Sequence, residues 1–328
     1  MPPLSIQYPQ PFRLRQFYQS SAFLDHDRIE LLKLKFQFLG KGFPQKSEFH
    51  GFRYYKTERK GKNMFAIDCH DHVYNKRIAS KAVESVGEFY SVQMNCTGTS
   101  DELINISKKS PVKKFVINSV ALNSRTVKRL NNFMSEEQQN HNEFTALGTL
   151  HPDMENPEEE IGRIISLGLH GIKLHPDSQN FDMDCPAAMK LYECIEGRLP
   201  LLIHCGDFRF DRSHPRRLVK VLDAFPDLTV IAAHFGGWSI FEEAVPYMKN
   251  CNCYMDISSS FPFIGKEKVY DYIKLYGSER LLFGSDFPMW NPVSEYNTFM
   301  ELKLSQEEQK NILYKNSADI FHIDISEF

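Results

Sequence analysis

The chain reads as an α/β protein, a (β/α)₈ TIM barrel preceded by a partly helical N-terminal extension. Three observations carry that expectation. From Met64 onward, eight short apolar runs of strand length alternate with amphipathic helical stretches, the pattern of a parallel sheet with crossover helices. The eight runs cover roughly 225 residues, against about 250 for a usual barrel. No run leads into a Gly-x-Gly-x-x-Gly turn, the mark of the competing doubly wound open sheet.

In chain order, the strands are expected at 65–73, 114–120, 145–150, 171–175, 200–204, 229–234, 253–257 and 280–286, and helices at 78–92, 124–140, 158–167, 186–195 and 216–224. The first strand is an apolar run that ends in Cys69-His70-Asp71-His72. The third and fourth each end in a Leu-His-Pro-Asp unit, at Leu150 and again at Leu174, where the proline cannot continue a ladder. Residues 1–64 are read as an extension. They open with prolines and contain one helix, with Asp25 or Asp27 as N-cap, Ile29, Leu32 and Phe36 on its apolar face, and Gly40 past its end. Covering the bottom of the barrel and forming a homodimer contact are the two roles open to it.

Composition excludes several classes. A formal net charge of -3 over 328 residues gives no footprint for nucleic acid or an anionic membrane. No apolar run approaches the roughly 20 residues of a membrane span, and the first residues lack the apolar stretch of a secretory signal. Seven irregularly spaced cysteines, Cys251 and Cys253 among them, read as reduced thiols of a cytoplasmic protein. The partner to expect is a small-molecule substrate.

Barrel active sites form at the C-terminal ends of the strands. Histidines and carboxylates collect at that rim: His70 and His72 on the first strand, Lys173 and His175 on the fourth, His204 on the fifth, His234 on the sixth and Asp286 on the eighth. His170 precedes its strand and belongs to the opposite, structural end. Any one of these residues is explained by a buried hydrogen bond or a helix cap; their choice of a common rim is not. Side chains two apart on a strand face the same way, so His70 and His72 can aim at one point, with Asp68 on the same parity as an orienting group. Lys173 and His175 face the lumen by the same rule. Three imidazoles and a carboxylate from His70, His72, His204 and Asp286 suit one divalent ion, Zn²⁺ first, with Mn²⁺, Fe²⁺ or Co²⁺ as alternatives. An ion there activates water, Asp286 takes the proton, and His234 acts as acid or base or steadies an oxyanion. In the loop after the fifth strand, Arg209 or Arg212 can clamp an anionic group, unless both are solvated loop charges.

The segments Ile67-Asp68-Cys69-His70-Asp71-His72, Gly171-Ile172-Lys173-Leu174-His175-Pro176, Leu202-Ile203-His204-Cys205-Gly206-Asp207, Ala233-His234-Phe235-Gly236-Gly237-Trp238 and Leu282-Phe283-Gly284-Ser285-Asp286-Phe287-Pro288 resemble the amidohydrolase superfamily over about residues 65–323. The resemblance is to its branch of barrel metal-dependent hydrolases related to aminocarboxymuconate-semialdehyde decarboxylase. It implies metal ligation by His70, His72, His204 and Asp286, with His234 assisting catalysis. Other branches carboxylate a lysine near Lys173 to bridge two metals. In this branch one metal is usual, and Lys173 is expected, with His175 and Arg209, to bind substrate. The expected activity is a mononuclear metal-dependent hydrolase of a small anionic amide, ester or lactone. The alternative on the same site is a lyase, a non-oxidative decarboxylase or hydratase. A barrel without catalysis, serving as a scaffold, is the third reading.

Overall fold

The computed structural model describes residues 64–327; the expected N-terminal extension and its helix lie outside the described residues. The strands are β1 (Ala66–His72), β2 (Val112–Asn118), β3 (Phe144–Ala146), β4 (Gly148–Thr149), β5 (Ile172–Leu174), β6 (Leu201–Ile203), β7 (Val230–Ala232), β8 (Tyr254–Asp256) and β9 (Leu281–Leu282). Every ladder between them is parallel. They fall into a run β1-β2-β3 and a run β4 to β9.

The two runs are one barrel. β3 and β4 are a single stave interrupted at Leu147, whose N–H bonds Ile117 on β2 at 2.9 Å while Gly148 turns to bond Gly171 at 2.8 Å. The other seam closes where β1 meets the chain after β9. Cys69 N–H reaches Phe283 O at 2.9 Å, Asp286 N–H reaches His70 O at 2.9 Å, and His72 N–H reaches Phe287 O at 2.7 Å. Expected and observed strands agree in number and order once the broken stave is counted as one.

Alternation on each stave sorts the core into two. Leu201, Ile203, Val230, Ala232 and Leu281 face the helices, whereas Leu202, Ile231 and Leu282 fill the lumen with Ile67, Cys69, Val116 and Leu147. Ala318, Phe321 and Ile323 join the inner cluster, so the C-terminal helix (Asn316–Phe321) helps to close the lumen. His170 ties to this helix through Nδ1 and Phe321 O at 2.7 Å, which bears out its structural reading.

The helices begin where the sequence signals it. Pro157, Pro186, Pro215 and Pro292 each occupy a first helical position, where a missing N–H costs nothing. Asn156 and Asn291 cap two of these helices through backbone N–H groups. Helices Ser100–Lys109, Phe241–Met248 and Phe261–Tyr276 fill the positions between staves that the periodicity left unassigned. No described helix is long and apolar enough to cross a membrane.

β1 departs from simple alternation. Asp68 pairs with Phe115 and Asp71 with Ile117, so Cys69 and His70 both stand opposite Val116. This is a β-bulge, one extra residue on β1. Phe115 and Ile117 belong to the outer core and Val116 to the lumen. The bulge therefore sets Asp68 and Asp71 on the outer parity and both histidines on the inner one. That corrects the shared parity of Asp68, His70 and His72 expected from strict alternation.

Candidate metal centre and active site

His70, His72 and Asp286 converge at the rim. Their nearest atoms are Nε2 to Nε2 at 3.2 Å, His70 Nε2 to Asp286 Oδ1 at 3.6 Å, and His72 Nε2 to Asp286 Oδ1 at 3.5 Å. Ligands about 2.1 Å from a common ion lie about 3.0 Å apart at right angles and about 3.4 Å apart at the tetrahedral angle. The three spacings fit one divalent ion. So does the protonation state. Asp256 Oδ2 accepts from His70 Nδ1 at 2.9 Å, which leaves the lone pair on Nε2, facing the other two donors. Burial, then the Lys173 charge, hold His72 well below the usual imidazole range and so neutral, as a ligand must be.

Lys173 faces the lumen, as alternation requires, and is fully buried. Its Nζ is 2.6 Å from His70 Nε2. Burial lowers its pKa to about 8, against the opposing pull of Asp286 and Asp256. The chain thus places its own cation at the lone pair a metal ion would take, in a field shaped by two carboxylates.

Asp256, at the end of β8, organises the centre. Besides His70 it accepts on Oδ1 from the N–H of His234 at 3.0 Å, the N–H of Ser258 at 3.0 Å and the Ser258 hydroxyl at 2.5 Å. Burial works against its ionisation, but the His70 imidazole and the His234 contacts override it and hold it far below the usual carboxylate range. Ser259 supports the other side, donating to Asp286 Oδ2 at 2.6 Å and accepting from Trp290 Nε1 at 2.9 Å. The sequence reasoning missed Asp256, Ser258 and Ser259. The rim rule was sufficient to find the first, since Tyr254-Met255-Asp256 is another strand ending in a carboxylate.

His234 lies against His70, with ring centroids 5.2 Å apart. Its Nδ1 faces the Ser258 carbonyl at 3.0 Å. A carbonyl only accepts, so Nδ1 carries the proton and Nε2 is a lone pair. Burial, partly opposed by Asp286 and Asp256, lowers its pKa to about 4. At neutral pH His234 is a proton acceptor.

His204 stands beside this group. Its ring stacks on His175, centroids 4.0 Å apart and 7° from parallel, and meets His234 edge-on at 5.0 Å. Its Nε2 is 2.9 Å from Gly206 O, so it too donates to a carbonyl and keeps its lone pair on Nδ1. His204 and His175 form a second convergent set with Asp177, whose burial raises its pKa to about 7. Of the four ligands the resemblance implies, three meet at one point and the fourth lies in this neighbouring set.

Arg209 is engaged within the protein. Nε and Nη2 bond Asp207 at 2.9 and 2.6 Å, and Nη1 donates to the Phe89 carbonyl. Its guanidinium sits among Phe89, Tyr90, Phe210 and Trp238, 4.6 to 5.8 Å from their ring centres. Two of its five N–H groups have no acceptor among the described residues. Arg212 instead bonds Asn180 at 2.6 Å. The loops after β6 and β7 are locked together: Gly206 lies at φ 87°, where a Cβ would stand 2.6 Å from the Gly237 backbone.

Asp68 does not orient the His70 ring. Its Oδ1 accepts the N–H of His70 at 3.2 Å and of Ser285 at 2.8 Å, and so ties the β1 bulge to the segment that carries Asp286. Glu295, buried on the helix Pro292–Met300, feels Asp68 and Asp286, and Oε2 has no hydrogen-bond partner among the described residues. Burial, then those two carboxylates, raise its pKa to about 8. A raised acid contributes stability that is complete below its unfolded pKa, near 4.5, and lost as pH climbs through about 8. Glu295→Gln, which never ionises, is therefore expected to match wild type in unfolding free energy near pH 5 and exceed it at pH 8 by on the order of a few kcal/mol, both proteins being melted after chelator treatment. Parallel melting profiles across that range would refute the buried acid.

The sequence model of the amidohydrolase family matches residues 67–323. No curated protein sequence matches the chain. Among solved structures, the dihydroxybenzoic acid decarboxylase from Polaromonas sp. JS666, with bound manganese and the inhibitor 2-nitroresorcinol, superposes with a TM-score of 0.63 at 16% identity, over 80% of this chain and 98% of that one. A 2,6-dihydroxybenzoate decarboxylase from Rhizobium gives 0.63 at 16%, over 80% and 99%. A putative 2-pyrone-4,6-dicarboxylic acid hydrolase from Pseudomonas putida gives 0.61 at 18%, over 80% and 99%. At these identities the likeness is one of fold, the TIM barrel.

Proposed function

The chain belongs to the amidohydrolase family, and from that premise we propose that it is a metal-dependent lyase, a non-oxidative decarboxylase of a small aromatic or unsaturated acid. The observation that carries this reading is the joint presence, on one rim, of the His70, His72 and Asp286 donors and an arginine set among four aromatic rings. A flat anion suits such surroundings better than a flexible amide does. Structural relatives named as dihydroxybenzoate and carboxyvanillate decarboxylases support the same choice.

An ion held by His70, His72 and Asp286, with His204 as the proposed fourth ligand, supplies Lewis-acid polarisation of substrate oxygens. Manganese is the ion bound in two of the relatives, and zinc fits the same donors. The chain's own residues do the rest. His234, neutral with a free Nε2, accepts a proton from a substrate hydroxyl. Asp286 takes up the proton that His234 has accepted and delivers it to the ring carbon that carries the carboxylate. The new C–H bond draws its electron pair from the ring. The C–C bond then breaks, its electron pair returns to the dearomatised ring and restores it, and carbon dioxide leaves. Lys173 and the two remaining Arg209 N–H groups pair with the negative charge of the acid.

Hydrolysis of a lactone is the second reading, favoured by the likeness to the pyrone dicarboxylic acid hydrolase. A product assay separates the two. With Mn²⁺ and 2,6-dihydroxybenzoate or a related phenolic acid, the expected result is carbon dioxide release that stops on chelation and resumes when metal is restored. Incorporation of labelled water into a ring-opened lactone, with no carbon dioxide from any phenolic acid, reverses the assignment.

A further inference from the structure

Tyr90 ends the helix Ala79–Tyr90, and its hydroxyl lies 2.6 Å from His175 Nε2. Which of the two donates is settled on the far side of the imidazole. The backbone N–H of Ser178 points at His175 Nδ1, 3.3 Å away. A backbone N–H only donates, so Nδ1 must hold a lone pair. A neutral imidazole with a lone pair on Nδ1 carries its proton on Nε2. His175 therefore donates to the Tyr90 oxygen, and the phenolic proton is left pointing elsewhere. No acceptor for it exists among the described residues.

The surroundings of that proton belong to the rim. The Tyr90 ring meets Trp238 edge-on at 4.9 Å, lies 6.4 Å from His204, and has the Arg209 guanidinium 5.2 Å from its centre. Burial, then Asp207, Asp286 and Asp177, push the phenol well above its usual range, so the group stays an O–H donor. Stacking of His175 on His204 at 4.0 Å fixes the imidazole plane and with it the direction of the Nε2–H.

We propose that Tyr90 is a substrate-binding residue whose O–H, released by the fixed tautomer of His175, donates to an oxygen of a planar organic anion at the metal rim. The ligand class rests on the decarboxylase reading above; the hydrogen-bond direction does not. His175 then acts through Tyr90 as a positioning residue and does not touch the substrate.

Two measurements test this. The first is the ring nitrogen spectrum of ¹⁵N-histidine-labelled protein, with His175 assigned by its loss in His175→Gln. A pyrrole-like Nε2 and a pyridine-like Nδ1 are expected. The reverse pattern means that the Tyr90 proton is already given to His175, and it overturns the inference while leaving the decarboxylase reading intact. The second is calorimetric binding of 2,6-dihydroxybenzoate to the Mn²⁺-loaded protein. Tyr90→Phe keeps the ring packing and is expected to weaken binding about ten-fold. Equal affinity in the two proteins defeats the inference alone. A wild type that does not bind this probe defeats both the inference and the ligand class on which it rests.

Discussion

Asp286→Asn is expected to lower turnover by about a thousand-fold or more while leaving the barrel folded. The two losses coincide in one side chain. Asp286 Oδ1 stands 3.6 and 3.5 Å from the Nε2 atoms of His70 and His72, and its Oδ2 receives the Ser259 hydroxyl. Asparagine keeps the volume and an acceptor for Ser259, but brings no charge to the ligand set and no proton to deliver. Backbone support is unchanged, because Asp286 N–H bonds His70 O irrespective of the side chain. Circular dichroism and thermal melting should match wild type. A variant that turns over at the wild-type rate removes Asp286 from the chemistry.

Asp256→Asn is expected to act through the metal, with affinity reduced about 10- to 100-fold and turnover falling in step. Asp256 accepts from His70 Nδ1 and so keeps the Nε2 lone pair open. The Oδ1 side faces three donors, the His234 and Ser258 N–H groups and the Ser258 hydroxyl, so an amide oxygen must stay there. The amide nitrogen is then turned toward His70. Its N–H groups favour a lone pair on Nδ1 and a proton on Nε2, the wrong tautomer for a ligand. Metal content after dialysis, with recovery of rate at high Mn²⁺, reads this directly. Retention of wild-type metal content would show that another group fixes the His70 tautomer.

How much of this was legible in the sequence depends on the period that carried it. Strand alternation is local, and it correctly aimed Lys173 into the lumen. The rim rule joined His70, His72 and Asp286 across more than half the chain, because strand ends can be read without knowing the pairing. Pairing itself was not legible. The interruption at Leu147 and the extra residue at Cys69 and His70 are matters of register, which no single strand records. Asp256 was passed over because one carboxylate in a short mixed segment looks like an ordinary cap. Tyr90 lay beyond reach for a different reason: its part is set by Ser178 and His175, neighbours distant in sequence and visible only when packed.

The bulge on β1 has a consequence for inheritance and transplantation of the centre. Between Ala66 and Ile67 the pairing offset to β2 grows by one, and between Asp68 and Asp71 it shrinks by one again. The two irregularities behave like an insertion and a deletion that restore a reading frame. Loss of a single residue at Cys69 would shift the phase of everything upstream relative to the histidines, and grafting His-x-His onto a regular stave would bring the ligands without the frame. The heritable unit is the pair of offsets together with the two histidines.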